Sequence, residues 1–224
     1  RTLPNVNWPS TFGLCFETVQ WVSSDGARLQ GWWVSACSPA GQGQRHGPSE
    51  RTIICCHGWG TNSGDILAQT WYLTKEGFNL FYMDFRGCGD SPRHGLCSLG
   101  FYEAEDFRSA LHYLRQSRPQ FCRFIGAFGL SLGGVVALNI ASKPEGSLIR
   151  AIALEGSYWS FADTIARYIK FHYGLPLFPI GHIFVFMLYV RTRWADHEGA
   201  GPCRSAFHFK PPHLLLMYGD KDYL

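Results

Sequence analysis

Ser131 stands in Gly129-Leu130-Ser131-Leu132-Gly133, a G-x-S-x-G pattern between two segments of different period. Upstream, residues 122–128 are short, apolar and rich in strand formers; downstream, residues 135–143 read as a helix that ends before Pro144. A serine on so sharp a strand-to-helix turn holds its hydroxyl exposed. Only very small residues fit on either side, because the two backbones nearly touch. The chemistry this suggests is nucleophilic attack. A serine hydroxyl is a weak nucleophile, so it needs a histidine as general base, a carboxylate to orient that histidine, and N–H donors for the developing oxyanion. Leu132 supplies one such amide at the start of the helix, where the helix dipole assists. His57-Gly58-Trp59-Gly60 follows an apolar run, and the Trp59 amide is the candidate second donor. His57 itself is read as shaping that loop rather than as the base. In Gly219-Asp220-Lys221-Asp222, Asp222 is preferred to Asp220 as the orienting carboxylate. In the glycine-rich stretch from Asp84 to Ser91, Asp84 and Arg86 are read as a structural ion pair rather than as substrate contacts.

These stretches must be brought together by the elements around them. Residues 16–23 and 28–36 read as two strands about the Ser24-Asp25-Gly26 turn, a hairpin. Residues 39–50 form a loop, and 52–56 is a continuous apolar run of the kind buried on both faces of a parallel sheet. A helix over 62–76 closing at Gly77, a strand over 78–85, a helix over 103–115 and a strand over 148–154 follow. Such alternation implies a mostly parallel sheet with helices on both faces, preceded by two antiparallel strands. In such sheets function gathers at the carboxyl ends of the strands, and Gly58, Arg86, Gly129, Glu155 and Asp222 all fall there. From Glu155 to Pro211 the alternation breaks. This quarter of the chain holds thirteen of its 35 aromatic residues and an amphipathic helical pattern over 160–173. It is read as a helical lid over the active edge. The expected organisation is therefore core over 1–154, lid over 155–211, and core resumed over 212–224 with a buried strand at 213–218. The apolar stretch 176–190 is too short to span a membrane. It is read as a buried or lid helix in preference to a membrane-surface contact.

With 224 residues, 46% of them apolar and 17% charged, the chain is long enough for one domain with a sizeable core. Its net charge of +3 is scattered, with no basic patch, so nucleic acid is not an expected partner. Eight cysteines without any C-x-x-C pair suggest neither a disulfide scaffold nor a zinc site. Cys55 and Cys56 are expected to point to opposite faces of one strand. The thiols are read as mostly buried and reduced, which fits a cytoplasmic setting. No cofactor or metal is implied, and the oligomeric state is not readable.

Taken together, His57 to Gly60, Asp84 to Ser91 (the pattern D-x-R-G-x-G-x-S), Gly129 to Gly134 and Gly219 to Asp222 (G-x-x-D) occur in an order similar to that of α/β-hydrolase fold proteins. The chain resembles their serine-aminopeptidase-like and α/β-hydrolase-domain groups. The resemblance covers most of the chain and implies that Ser131 is the nucleophile, Asp222 the acid, and Trp59 and Leu132 the oxyanion donors. It also implies a lid between the sixth and seventh sheet strands. The implied activity is hydrolysis of a small-molecule acyl substrate, an ester or thioester, without cofactor. An aminopeptidase-like peptide hydrolase and a non-catalytic binding protein on the same fold are the alternatives. A dehalogenase or epoxide hydrolase is disfavoured, since those carry a carboxylate where Ser131 stands. One departure matters. In the family the histidine follows the acid, and here only Tyr223 and Leu224 follow Asp222. The sequence is therefore read as C-terminally incomplete rather than as a natural truncation. This stretch alone is expected to lack the base that activates Ser131.

Overall fold

A computed structural model of the chain describes residues 5–36, 49–92, 97–196, 201–206 and 208–220. The expected hairpin forms from Phe16–Val22 (β1) and Arg28–Val34 (β2), paired antiparallel from Phe16↔Val34 to Val22↔Arg28. Arg51–Cys56 (β3), Asn79–Asp84 (β4), Phe124–Leu130 (β5), Ile149–Glu155 (β6) and His213–Met217 (β7) complete one seven-stranded sheet in the order β1-β2-β4-β3-β5-β6-β7. β2 meets β4 antiparallel, and the pairs from β4 to β7 are parallel. This is the topology of an α/β-hydrolase fold.

The middle of the sheet explains its own sequence. Every residue of β4 is buried, which is why Asn79–Asp84 does not alternate in polarity. Cys55 and Cys56, neighbours in β3, join different apolar clusters on the two sides of the sheet. On one side Cys56, Phe81 and Met83 pack beneath Phe101–Ser117 (α2) and Leu132–Ser142 (α3). On the other, Cys55, Leu80, Tyr82 and Trp32 pack with Ile66 and Leu67 of Ser63–Thr70 (α1).

Two expected elements change length. The helix expected over 62–76 is α-helical only to Thr70 and tightens to a 3-10 turn over Trp71–Thr74. Thr70 turns its hydroxyl back to the Ile66 carbonyl at 2.7 Å and meets the Tyr82 hydroxyl at 3.0 Å, a local bond that competes with the helical ladder. The helix expected over 103–115 starts two residues earlier. Glu103 reaches back to accept from the Gly100 amide and from the Ser98 amide and hydroxyl at 2.7–2.8 Å.

Phe161–Tyr173 (α4), His182–Arg191 (α5) and Pro202–Ala206 (α6) lie between β6 and β7. α4 begins at Ser160, whose hydroxyl caps the Asp163 amide, and buries Phe161, Ile165 and Ile169 at four-residue spacing. These three pack against Val185, Leu188 and Tyr189 of α5. Of the two readings of 176–190, a buried or a lid helix, burial is not met: α5 has no buried residue, because only its α4-facing side is covered. Nor is β7 a buried strand. Among the described residues it pairs only with β6, at the sheet edge, and Leu214, Leu215 and Leu216 are 44–55% exposed.

Candidate active site

The turn at Ser131 is held by backbone on every side. Ser131 has φ 49° and ψ −113°, left-handed territory that a non-glycine residue enters only when its surroundings impose it. Its amide donates to the Glu155 carbonyl at 2.7 Å, and its own carbonyl accepts from Gly134 and Val135 at 3.0 and 3.2 Å. The flanking glycines are required sterically. A Cβ on Gly129 would lie 2.5 Å from the Gly134 backbone, and one on Gly133 would lie 2.2 Å from the Cys56 carbonyl oxygen. β5, α3 and the end of β3 are therefore in backbone contact around the serine.

Register carries the other stretches to the same edge. Cys56 pairs with Met83 and with Gly129, Leu130 with Glu155, and Glu155 with Met217, so the loops after β3, β4, β5, β6 and β7 leave the sheet side by side. The loop after β3 passes directly over Ser131: a Cβ on Gly58 would meet the Ser131 Cβ at 3.6 Å. Trp59 follows with its ring half-exposed, in edge contact with Tyr168 of α4 at 5.8 Å. Leu132 opens α3, and a first-turn amide has no intrahelical acceptor. The structure thus brings Ser131, Leu132 and the Gly58-Trp59 loop together. Asp222 lies outside the described residues; Asp220, just past the end of β7, is exposed.

His57 is buried and occupied on both ring nitrogens. Nε2 accepts from the Phe85 amide at 3.1 Å, which leaves Nδ1 to donate to the Gly58 carbonyl at 2.8 Å. Burial pulls its pKa below the usual histidine value, against the opposing pull of Asp84. A neutral imidazole with both nitrogens engaged ties the loop after β3 to the one after β4.

The Asp84–Arg86 pairing suggested by the sequence does not form. Asp84 accepts from the Ser63 and Asp90 amides at 2.7 and 2.8 Å, which joins the start of α1 to the glycine-rich turn. Gly89 is needed there, since a Cβ would fall 2.2 Å from the Asp84 carboxylate. Arg86 instead pairs with Asp106 of α2 at 2.6 Å and with Asp25 of the β1–β2 turn at 2.7 Å. Burial would lower the Arg86 pKa, but these two carboxylates hold it above its ordinary value. Asp106 escapes a sequence reading that follows apolar residues alone. Its signal is an acid on the inward stripe of α2, three residues after buried Glu103 and four before Ala110. Tyr168 escapes because its partner, Trp59, lies more than a hundred residues away. Among the described residues no group of three or more His, Cys, Asp or Glu side chains is arranged to hold a metal ion.

Comparison with known proteins agrees with this geometry. Residues 47–177, more than half of the chain, match the family model described as serine aminopeptidase, S33. The uncharacterized protein YfhR of Escherichia coli is 31% identical over 162 residues, covering 67% of this chain and 50% of YfhR. The uncharacterized protein YqkD of Bacillus subtilis is 27% identical over 173 residues, covering 77% of this chain and 56% of YqkD. The chain thus spans about half the length of these curated relatives. Among solved structures, the Pyrococcus furiosus esterase Pf2001 superposes with a TM-score of 0.73 at 21% identity, covering 96% of this chain and 75% of that one. The Pyrococcus horikoshii acylaminoacyl peptidase gives 0.63 at 16% identity, covering 95% of this chain and 34% of that one. Fold, serine turn and family match converge, and the chain belongs to the serine aminopeptidase S33 family of α/β-hydrolase fold proteins.

Proposed function

We propose that the protein is a cofactor-independent serine hydrolase acting on carboxylic esters or thioesters with apolar acyl groups. The observation that carries this reading is Ser131 at φ 49° on the β5–α3 turn, strained and walled in by glycines. Strain of about 1–3 kcal/mol at one residue persists where the surrounding structure over-determines it, typically at functional sites.

In this reading the Ser131 Oγ attacks the acyl carbonyl carbon, and its proton passes to a histidine that the family order places after Asp222. Asp222 orients that imidazole. The carbonyl oxygen gains negative charge and is met by the Leu132 and Trp59 amides, each donor worth about 3 kcal/mol of barrier. The protonated imidazole then gives its proton to the departing alcohol or thiol. Water, deprotonated by the same base, attacks the acyl-enzyme and releases the acid. The helices between β6 and β7 act as the lid, with Tyr168 against Trp59 at the edge of the site. The aromatic content of that segment favours an apolar acyl chain. Hydrolysis of peptides with an apolar N-terminal residue is the second reading, favoured by the description of the family itself.

A fluorophosphonate probe tests the proposal on the full-length protein. Covalent labelling at Ser131 is expected, absent in Ser131→Ala, and turnover of an aryl ester should fall roughly 10⁴-fold or more in that variant. A folded protein that takes no label would make the fold a binding scaffold and overturn the reading.

A further inference from the structure

α5 presents an apolar surface that the rest of the described molecule leaves open. Ile183, Phe186, Met187 and Val190 recur at three- to four-residue spacing, and each is 50–56% exposed. They form one stripe on the side opposite Val185, Leu188 and Tyr189, which pack on α4. Phe178, before the helix, and Trp194, after it, extend the stripe at 78% and 65% exposure. Outward apolar side chains of this size, all on one helix and its flanks, mark an interaction surface.

Charge identifies what the surface fits. From Thr164 to Ala195, 32 consecutive residues contain no Asp or Glu, while Arg167, Lys170, Arg191 and Arg193 all lie in that span. Every one of these four cations is exposed. An apolar stripe with an aromatic residue at either end, two exposed arginines (Arg191 and Arg193) at its C-terminal end and no carboxylate on its helix complements an anionic lipid surface. Geometry restricts the mode. Among the described residues no single helix is long and apolar enough to cross a membrane; α4 and the segment Phe178–Arg191 together have the length and composition of a span but are bent by 112°. A surface-bound mode suits this bend, with the outer side of α5 among the acyl chains and Arg191 and Arg193 at the headgroups.

We propose that α5 docks the protein on the surface of anionic phospholipid membranes, inserting its Ile183–Phe186–Val190 stripe without spanning the bilayer. The inference goes beyond the hydrolytic reading and does not depend on it. It also places the insertion that neighbours Ser131, through the Trp59–Tyr168 contact, at the lipid surface.

Vesicle co-sedimentation of the full-length protein separates the outcomes. Vesicles of phosphatidylcholine with about 30% phosphatidylserine should retain the protein, and plain phosphatidylcholine should retain it far more weakly. Phe186→Glu with Met187→Glu should abolish binding. Arg191→Gln with Arg193→Gln should lower the partition coefficient roughly 30-fold in low salt, at about fivefold per cation. Because these side chains are exposed, circular dichroism and thermal midpoint should be unchanged in both double variants, so a loss of binding is not a loss of fold. Equal binding to both vesicle types, or binding unmoved by either double variant, overturns the proposal. So does a monodisperse dimer in sedimentation analysis that Phe186→Glu splits, since a second copy would then cover the stripe.

Discussion

Gly133 and Gly174 both sit at helix termini, and the two mean different things. Gly133 lies in the first turn of α3, where a methyl group would strike the Cys56 and His57 carbonyl oxygens at 2.2 and 2.7 Å. Gly174 caps α4 at φ 64° with nothing within 4 Å of a Cβ. The first is required by long-range packing, the second by its own backbone angle. The contrast extends to the regions around them. Around Ser131, strands distant in sequence are locked together by backbone contact. In the segment between β6 and β7, two helices neighbouring in sequence share a small cluster of Phe161, Ile165 and Ile169 and leave much apolar surface open. The proposed site, which must hold atoms to a fraction of an ångström, is built from the first kind of structure; the proposed lipid-facing surface is built from the second.

The strongest way to break this comparison is to exchange the glycines for alanine. Gly133→Ala should cost about 4 kcal/mol or more, since backbone, not a flexible side chain, stands in the way. Gly174→Ala should cost about 1–2 kcal/mol, the ordinary penalty for a left-handed non-glycine residue. Urea unfolding followed by tryptophan fluorescence measures both. Similar losses at the two positions would mean that the elbow relaxes around a methyl group.

A second pair sharpens the contrast with side chains of one type. Phe107 of α2 is fully buried in the main cluster, whereas Phe186 of α5 is 56% exposed. Phe107→Ala should lose about 3–5 kcal/mol and Phe186→Ala less than about 0.5 kcal/mol. Should Phe186→Ala destabilise as much, α5 would be held from outside by something the described residues do not include.

The third comparison sets a buried ion pair against an exposed one. Asp106 is inaccessible and its partner Arg86 nearly so, while Arg123 and Glu50 pair at 2.9 Å in the open. Asp106→Asn keeps the shape but leaves the guanidinium with Asp25 alone, and a loss of about 3 kcal/mol is expected. Arg123→Gln should shift the unfolding midpoint by less than about 1 kcal/mol equivalent. Equal effects would show that Asp25 alone satisfies Arg86.

What the sequence made legible follows the same division. The hairpin, β3, β4 and the Ser131 turn were readable because each announces itself within a few residues: an alternation, an apolar run, glycines at fixed offsets. The partner of Arg86 was not, because Asp25 and Asp106 lie 61 and 20 residues away and nothing local distinguishes them from Asp84 two residues back. The break in the helix at Thr70 depends on Tyr82 across the sheet. The exposure of α5 and of β7 was hidden for a different reason. An apolar run reports that a surface avoids water, not which neighbour covers it. The proposed acid Asp222 lies outside the described residues, so its placement at the site stands on the resemblance.

The smallest expected effect concerns the tie between the two loops beside the serine. His57 is neutral in the fold, because burial disfavours its charged form and the Phe85 amide already points at Nε2. A proton added there would face another donor. The folded pKa therefore lies below the unfolded value of about 6.5. Below that value the unfolded chain binds the proton more readily, so stability is full above about pH 6.5 and is lost as the pH falls beneath it. The slope for one group is at most about 1.4 kcal/mol per pH unit, which gives up to about 2 kcal/mol between pH 6.5 and 5. Many carboxylates also respond to acid, so the useful quantity is a difference. His57→Gln retains groups able to accept from Phe85 and donate to Gly58, but does not titrate. Its stability should be lower at pH 7.5 and should fall less steeply toward pH 5 than that of the parent, in urea titrations taken at half-unit steps. Parallel curves would mean that His57 accommodates a proton in place, and that the loop after β3 has more freedom beside Ser131 than its hydrogen bonds indicate.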